Sequence, residues 1–288
     1  MSDKYPTSSP KINIGATRST GDPEGLMLSI IVPVLNEEES IESALENICQ
    51  AIERLVVKCE VIVVDNGSVD STVEIVERRQ QHCNYIKLIP GVLPRGIGVA
   101  VWEGIRNSKG RYVVMIPGDG ENDTWEILRY LPLMEDVDIV IPYVYNREVR
   151  SIFRRLLSKL YKLIINLSFG MLLNYMNGTV MYRRKILDSV HLHSKGFFFQ
   201  TELLIKCIKR GYLYAEVPYK INPRDGGQQK AINLQSGFIV MKEYIELIVA
   251  VYWFSGDKVS LALDTASSDR KLESKQHPTN DKTDQQKT

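Results

Sequence analysis

Apolar residues run along this chain in two rhythms that take turns. Residues 28–34 (Leu-Ser-Ile-Ile-Val-Pro-Val) are a nearly unbroken apolar run of strand length, the pattern of a strand covered on both faces. Beyond it Ile41, Leu45, Ile48, Ile52 and Leu55 recur at helical spacing, which predicts a helix over 39–56 with Asn36 as its N-cap. The pair then repeats. Residues 60–64 read as a second strand, and Ser71 and Glu74 stand at capping-box spacing ahead of Val73, Ile75 and Val76. Residues 85–89 form a third strand, followed by a Gly-Pro-rich loop over 90–98 and a helix ending near Asn107. Residues 112–116 form a fourth, stopped by Pro117 and Gly118, and residues 136–142 a fifth.

The second half is less regular. Over 150–173, Ile152, Leu156, Leu160, Leu163 and Leu167 make one apolar stripe with Arg155, Lys159 and Lys162 along its flank. Such a helix either packs on its own sheet with a solvated basic side or lies on an anionic membrane surface. Asn177-Gly178 reads as a turn before a short strand that ends in Arg183-Arg184, two guanidinium forks suited to a phosphate or simply to the surface. A helix over 197–211 carries Glu202 in its first turn, where a carboxylate also favours the helix dipole. A strand over 212–219, a charged loop over 224–230 able to close as a lid, and a last helix over 234–254 complete the pattern.

Strands alternating with helices imply right-handed crossovers and an α/β, doubly wound, mostly parallel sheet with helices on both faces. Ligands bind such sheets beyond the carboxyl ends of the strands. Asn36 and Glu37, residues 65–68, the loop holding Arg95, and the acidic loop of Asp119, Glu121 and Asp123 all fall there. The acidic loop is either a site for a divalent cation on a diphosphate or a turn capping the helix that starts near Thr124. Convergence of four polar loops on one edge favours the ligand reading.

Composition narrows the classes. The chain has 288 residues, 44% hydrophobic and 25% charged, with 36 basic against 35 acidic residues. A net charge of +1 leaves no bulk field for nucleic acid. Its four cysteines are scattered, suggesting neither a zinc site nor a disulfide framework. The start of the chain has no apolar core like that of a secretory signal, and the longest apolar stretches are too short to span a bilayer, so the expectation is a cytoplasmic protein, membrane-associated at most at the inner face. Residues 1–25 and 255–288, rich in polar and charged residues, are expected to be disordered around one catalytic domain over 26–233 and a C-terminal amphipathic helix over 234–254. Gly96-Ile-Gly98 lacks the third glycine of a dinucleotide fingerprint, His191 and His193 have no third ligand nearby, and neither a nucleophile elbow nor a P-loop occurs.

Taken jointly, Ile-Ile-Val-Pro-Val-Leu-Asn36-Glu37-Glu38, Val-Val-Asp65-Asn66-Gly67-Ser68, Gly96-Ile-Gly98-Val-Ala-Val-Trp-Glu-Gly104 and Gly110-Arg-Tyr-Val-Val-Met resemble an inverting glycosyltransferase of family 2 with the GT-A fold. Asn177-Gly178, Phe199-Gln-Thr-Glu202, Ala215-Glu-Val-Pro218 and residues 224–230 are similar to its dolichol-phosphate mannose synthase branch. The resemblance implies a nucleotide-sugar donor bound by Pro33, Asn36, Glu37, Asp65, Gly67, Ser68, Gly98 and Gly118, with Asp65 reading the base. It implies Mg²⁺ or Mn²⁺ held by Asp119 with Glu121, Pro117 standing where the family usually has the first Asp of Asp-x-Asp. It also implies a polyprenyl phosphate acceptor oriented by Arg183, Arg184, Arg224 and Lys230, at a membrane surface touched by the basic helix. Two other readings stay open: a hydroxyl acceptor with Glu202 or Asp225 as general base, and a scaffold that keeps the nucleotide pocket without chemistry.

Overall fold

Leu28, Ile30, Ile31 and Val32 have no exposed surface, so the first strand, β1 (Leu26–Val34), is covered on both faces as its unbroken apolar run requires. The computed structural model describes residues 25–146, 152–221, 234–252 and 261–276. Around β1 stand β2 (Lys58–Asp65), β3 (Ile86–Ile89), β4 (Tyr112–Met115), β5 (Ile139–Val144), β6 (Met181–Arg183) and β7 (Tyr214–Tyr219), in the sheet order β3-β2-β1-β4-β6-β5-β7. The helices are α1 (Ile41–Glu53), α2 (Thr72–Gln80), α3 (Ile97–Asn107), α4 (Thr124–Leu128), α5 (Ile152–Phe169), α6 (Arg184–Leu187), α7 (Phe199–Lys209), α8 (Leu234–Tyr252) and α9 (Ala266–Gln276). Ile41, Leu45, Ile48, Val76 and Ile127 from α1, α2 and α4 close one face of the sheet. Val101, Ile105, Ile165, Phe169, Leu203 and Leu247 from α3, α5, α7 and α8 close the other. The doubly wound α/β expectation therefore holds, with one reversal: β6 runs antiparallel to both neighbours, β4 and β5.

That reversal fixes what lies at each end of the sheet. Arg183 pairs with Tyr112 at the amino end of β4, the end away from the acidic loop. There Asp138, fully buried, accepts Arg183 Nε at 3.0 Å, Ala266 N at 2.8 Å and Ser267 N at 3.1 Å, and also bonds the Ser267 hydroxyl. Arg183 reaches Met134 O at 2.6 Å as well. A carboxylate so surrounded is affordable inside a protein because its charge and its lone pairs are both matched. It also caps α9, a helix within a tail expected to be disordered; the sequence signal was missed because the partner that orders it, Asp138, lies just before β5, far earlier in the chain. Residues 255–260 and 277–288 of that tail, like residues 1–24 and the last two of the expected helix, 253–254, lie outside the described residues.

Two local expectations differ in detail. Asn36 is not an N-cap: α1 starts at Ile41, and Asn36 adopts φ 54°, with its Oδ1 accepting Val69 N at 2.9 Å. At α2 the Ser71 side chain makes no cap, and Asp70 Oδ1 instead accepts Thr72 N at 3.0 Å. At Asn36 a contact with the turn after β2 replaces the local one, whereas at α2 the acceptor only moves back one residue, from Ser71 to Asp70.

The basic amphipathic helix shows the largest difference from inward packing. Leu156, Leu160, Leu163 and Leu167 are 65%, 52%, 55% and 75% exposed, while Tyr161, Ile165 and Phe169 face the core. The side chain of Ile152 lies outside the described residues. Helix α8 packs beside α5: Ser168 Oγ and Tyr244 OH are 2.6 Å apart, and the ring of Phe169 stacks on Tyr252. It too turns apolar side chains outward, with Met241, Ile245 and Tyr252 each more than half exposed. No described helix is long and apolar enough to cross a membrane.

Candidate functional site

Three strand ends and the loop after β3 meet at the carboxyl edge of the sheet, and hydrogen bonds link them in series. Val34 O accepts Asn66 N at 2.9 Å, joining the end of β1 to the turn after β2. Asn36 N donates to Ser68 Oγ at 3.0 Å and Glu37 N to Thr72 Oγ1 at 2.9 Å. Asp65, buried at the end of β2, accepts Gly67 N at 3.1 Å, Ser68 N at 3.0 Å and Gly91 N at 3.3 Å, so a single carboxylate shapes two loops. Asn66 Oδ1 accepts Arg95 N at 2.9 Å. Gly67 has φ 91°, and a Cβ there would lie 2.7 Å from the Leu93 carbonyl carbon; only glycine permits both the turn and this approach.

The acidic loop joins the same edge through Ser40, whose hydroxyl lies 3.1 Å from Glu37 Oε2 and 3.0 Å from Gly118 O. A Cβ on Gly118 would lie 2.7 Å from Val34 Cγ1, which presses this loop against the end of β1. Pro33 is buried in β1 beneath it. Asp119 Oδ1 accepts Glu121 N at 3.1 Å, a short turn that holds both residues half-buried at the end of β4. Asp123 takes the other role considered for this loop: it is the N-cap of α4 and accepts Trp125 N at 3.0 Å. The structure thus gathers Pro33, Asn36, Glu37, Asp65, Gly67, Ser68, Gly118 and Asp119 on one edge, with Gly98 in the first turn of α3 beside them. Asn66, within the 65–68 loop, and Asp70 belong to the same network, as do Ser40 and Thr72, which were missed. Their sequence signal, small polar residues beside Asn36-Glu37 and Asp65, is common to many turns.

Asp119 and Glu121 offer hard carboxylate oxygens, and among the described residues no group of three or more His, Cys, Asp or Glu is placed to hold a metal. Mg²⁺ commonly takes one or two carboxylates and completes its shell with water and phosphate oxygens. The donor set therefore fits a divalent cation shared with a bound diphosphate, rather than one caged by protein alone.

The residues assigned to the acceptor separate. Arg183 lies at the far end of the sheet with its guanidinium spent on Asp138 and Met134 O. Arg184 donates to Gly110 O at 2.8 Å and Ile105 O at 3.2 Å and also bonds Ser108, which ties the end of α3 to β4. Both arginines serve the fold and leave no free fork for a phosphate. Arg224, Asp225 and Lys230 lie outside the described residues.

Glu202 is equally committed. Its buried carboxylate accepts His193 N at 3.0 Å, Ser194 N at 2.9 Å and Lys206 Nζ at 2.6 Å, and His193 Nδ1 lies 3.2 Å away. Burial opposes its ionisation, but hydrogen bonds from Lys206 and the two amides outweigh it and hold the carboxyl below its ordinary value. A carboxylate of lowered pKa with its lone pairs engaged is a poor proton acceptor, which argues against Glu202 as a general base.

The sequence model of "Glycosyl transferase family 2" matches residues 29–190. The chain belongs to glycosyl transferase family 2. Among curated relatives, an undecaprenyl-phosphate 4-deoxy-4-formamido-L-arabinose transferase of Pseudomonas syringae is 31% identical over 166 residues, covering 57% of this chain and 49% of the relative. The enzyme of the same description from Salmonella choleraesuis is 27% identical over 175 residues, covering 59% and 53%. The chain thus spans about half the length of the curated relatives it matches. Among solved structures, glucosyl-3-phosphoglycerate synthase of Mycobacterium tuberculosis, crystallised with Mn²⁺, UDP and phosphoglyceric acid, superposes with TM-score 0.59 at 21% identity, covering 78% of this chain and 79% of that one. That likeness establishes the GT-A fold for this family 2 chain.

Proposed function

We propose that this family 2 protein transfers a sugar, with inversion, from a nucleotide-sugar donor to the phosphate of a polyprenyl lipid. The observation that carries the reading is the hydrogen-bonded series of loops at the carboxyl edge, running from Asn36 and Glu37 through Asp65 and Ser68 and, by way of Ser40, to Gly118, the residue before Asp119. Asp65, with its carboxylate fixed by three amides, would read the base of the donor. Asp119, with Glu121, would hold Mg²⁺ or Mn²⁺ against the donor diphosphate. When bound, that cation offsets the negative charge growing on the departing nucleoside diphosphate.

A phosphate acceptor fits the remaining residues better than a hydroxyl. A phosphate oxygen is already anionic near neutrality and attacks the anomeric carbon without losing a proton, so transfer needs no base from the protein. Glu202, the described candidate for such a base, is engaged elsewhere. Arg224 and Lys230 remain the proposed contacts of the acceptor phosphate. The names of the two curated relatives described above, both undecaprenyl-phosphate transferases, support the same acceptor class.

A lipid acceptor must be met at a membrane, and the outward leucines of α5 beside Arg155, Lys159 and Lys162 form a face for anionic lipid. A stripe of half-exposed leucines gains by entering the interface, and the flanking cations gain from the surface potential.

The reading is tested by incubating the protein with a panel of nucleotide sugars, Mn²⁺ and undecaprenyl phosphate in detergent. Sugar-phospholipid should form with wild type and vanish with Asp119→Asn. Full turnover by that variant, or undiminished turnover in excess chelator, would refute the role given to Asp119.

A further inference from the structure

Two acids from two helices hold a run of consecutive amides. Glu202 of α7 accepts His193 N at 3.0 Å and Ser194 N at 2.9 Å, and Glu243 of α8 accepts Lys195 N at 3.2 Å. Between these grips, Lys195 O accepts Gly98 N at 2.9 Å and so closes the first turn of α3. The approach is close on both sides: a Cβ on Gly96 would lie 2.5 Å from Lys195 O, and one on Gly98 2.9 Å. One residue before Gly96, Arg95 N donates to Asn66 Oδ1, inside the turn that follows Asp65. Direct contacts therefore lead from α8, through Lys195 and the start of α3, to the turn that the functional reading assigns to the donor nucleotide.

Glu243 is an expensive choice for a helix that merely needs to pack. Burial, and the nearby charge of Glu202, push its carboxyl above the ordinary value, and its Oε2 is buried without a hydrogen-bond partner. An apolar side chain there would remove both costs. What it could not do is accept the amide of Lys195.

We propose that Glu243 is a positioning residue for the donor pocket, setting the first turn of α3 and the turn of residues 65–68 through Lys195. The proposal rests on the functional reading above and adds a consequence to it: α8, whose other side exposes Met241 and Ile245, is mechanically joined to the site that binds donor.

The test compares wild type, Glu243→Ala and Glu243→Gln by calorimetric titration with UDP, GDP, CDP and ADP in Mn²⁺, alongside hydrogen exchange at the amides of Gly98 and residues 66–68. For the nucleotide that binds wild type, Glu243→Ala should weaken binding by about 10-fold, the scale of lost second-layer support. Glu243→Gln should recover most of it, since its amide oxygen still accepts one N–H, and donor KM should rise in the alanine variant while kcat holds. Exchange at Gly98 should quicken in the order wild type, Gln, Ala. Equal affinity and equal exchange in all three proteins would overturn the positioning role. If Glu243→Ala does not fold, Glu243→Gln still decides: exchange at Gly98 unchanged from wild type overturns the proposal. Failure of wild type to bind any of the four nucleotides is a separate result, and it overturns the functional reading itself.

Discussion

Replacing Leu163 and Leu167 together by serine isolates the outward face of α5. The two side chains are 55% and 75% exposed, so the folded protein loses little packing, and surface changes of this kind shift stability by about 0.5 kcal/mol or less. Lipid binding should respond very differently. Full burial of a leucine stabilises by about 2 kcal/mol, and with over half of each side chain available the pair contributes roughly 2.5 kcal/mol, or about 60-fold in partitioning. The assay is sedimentation with sucrose-loaded vesicles of phosphatidylglycerol and phosphatidylcholine, with unfolding temperature and mass by light scattering measured on the same samples. Wild type should bind the anionic vesicles, more weakly at high salt because Arg155, Lys159 and Lys162 supply part of the attraction. The double variant should fall by the stated factor with unchanged unfolding temperature. Equal vesicle binding by both proteins would refute the lipid face. So would a wild-type dimer that the substitutions convert to monomer, because the leucines would then be covered by a second copy.

Other consequences concern stability and the shape of the site. Asp138→Ala leaves the Arg183 guanidinium buried without its partner and should cost about 3–5 kcal/mol in urea unfolding, while turnover per folded molecule stays near wild type because Asp138 lies at the opposite end of the sheet; a loss under 1 kcal/mol would contradict its place in the core. Gly118→Ala puts a methyl 2.7 Å from Val34 Cγ1, so it should destabilise by about 1–3 kcal/mol and depress turnover further than unfolding explains by displacing Asp119; normal kinetics would mean the loop tolerates movement. Acid should weaken the fold through Glu202 and through Glu60 of β2, where burial opposes ionisation but hydrogen bonds from Lys87 Nζ at 2.8 Å and Ser29 Oγ at 2.7 Å outweigh it; both carboxyls are held below their ordinary 4.5. Groups depressed in this way contribute stability above the unfolded value and lose it as pH falls through the folded one. Unfolding temperature should therefore drop as pH is lowered below about 4.5, with Glu202→Gln flattening that limb and Glu243, shifted upward, acting in the opposite sense; a flat acid limb in wild type would contradict these assignments.

The sheet was legible because its central strands are buried on both faces: an unbroken apolar run such as residues 28–34 has few other homes. The gathering of polar loops at the carboxyl edge was legible for a topological reason, since parallel strands deliver their following loops to one side. What escaped depends on hydrogen-bond partners that the apolar pattern does not reveal. Arg183 looks like a phosphate ligand until β6 runs backwards and sets it against Asp138, 45 residues earlier. Glu202 looks like a base until the chain returns two amides and Lys206 to it. Helix α5 misled differently: it carries two apolar stripes, and periodicity finds the leucines without saying that Tyr161, Ile165 and Phe169 are the ones turned to the core. Asn36 was placed at the right edge but in the wrong role, because its positive φ comes from contacts with Ser68 and Val69 rather than from the helix that follows.

The central claim is that Asp119, at the end of β4, helps bind a metal–diphosphate beside Asp65. Calorimetric titration of nucleoside diphosphates into wild type and Asp119→Asn, each with and without Mn²⁺, tests it most directly. At least one nucleotide should bind wild type only when the cation is present, and the variant should lose that metal-dependent part while remaining folded. Binding that is the same in both proteins, or indifferent to the metal, would contradict the account.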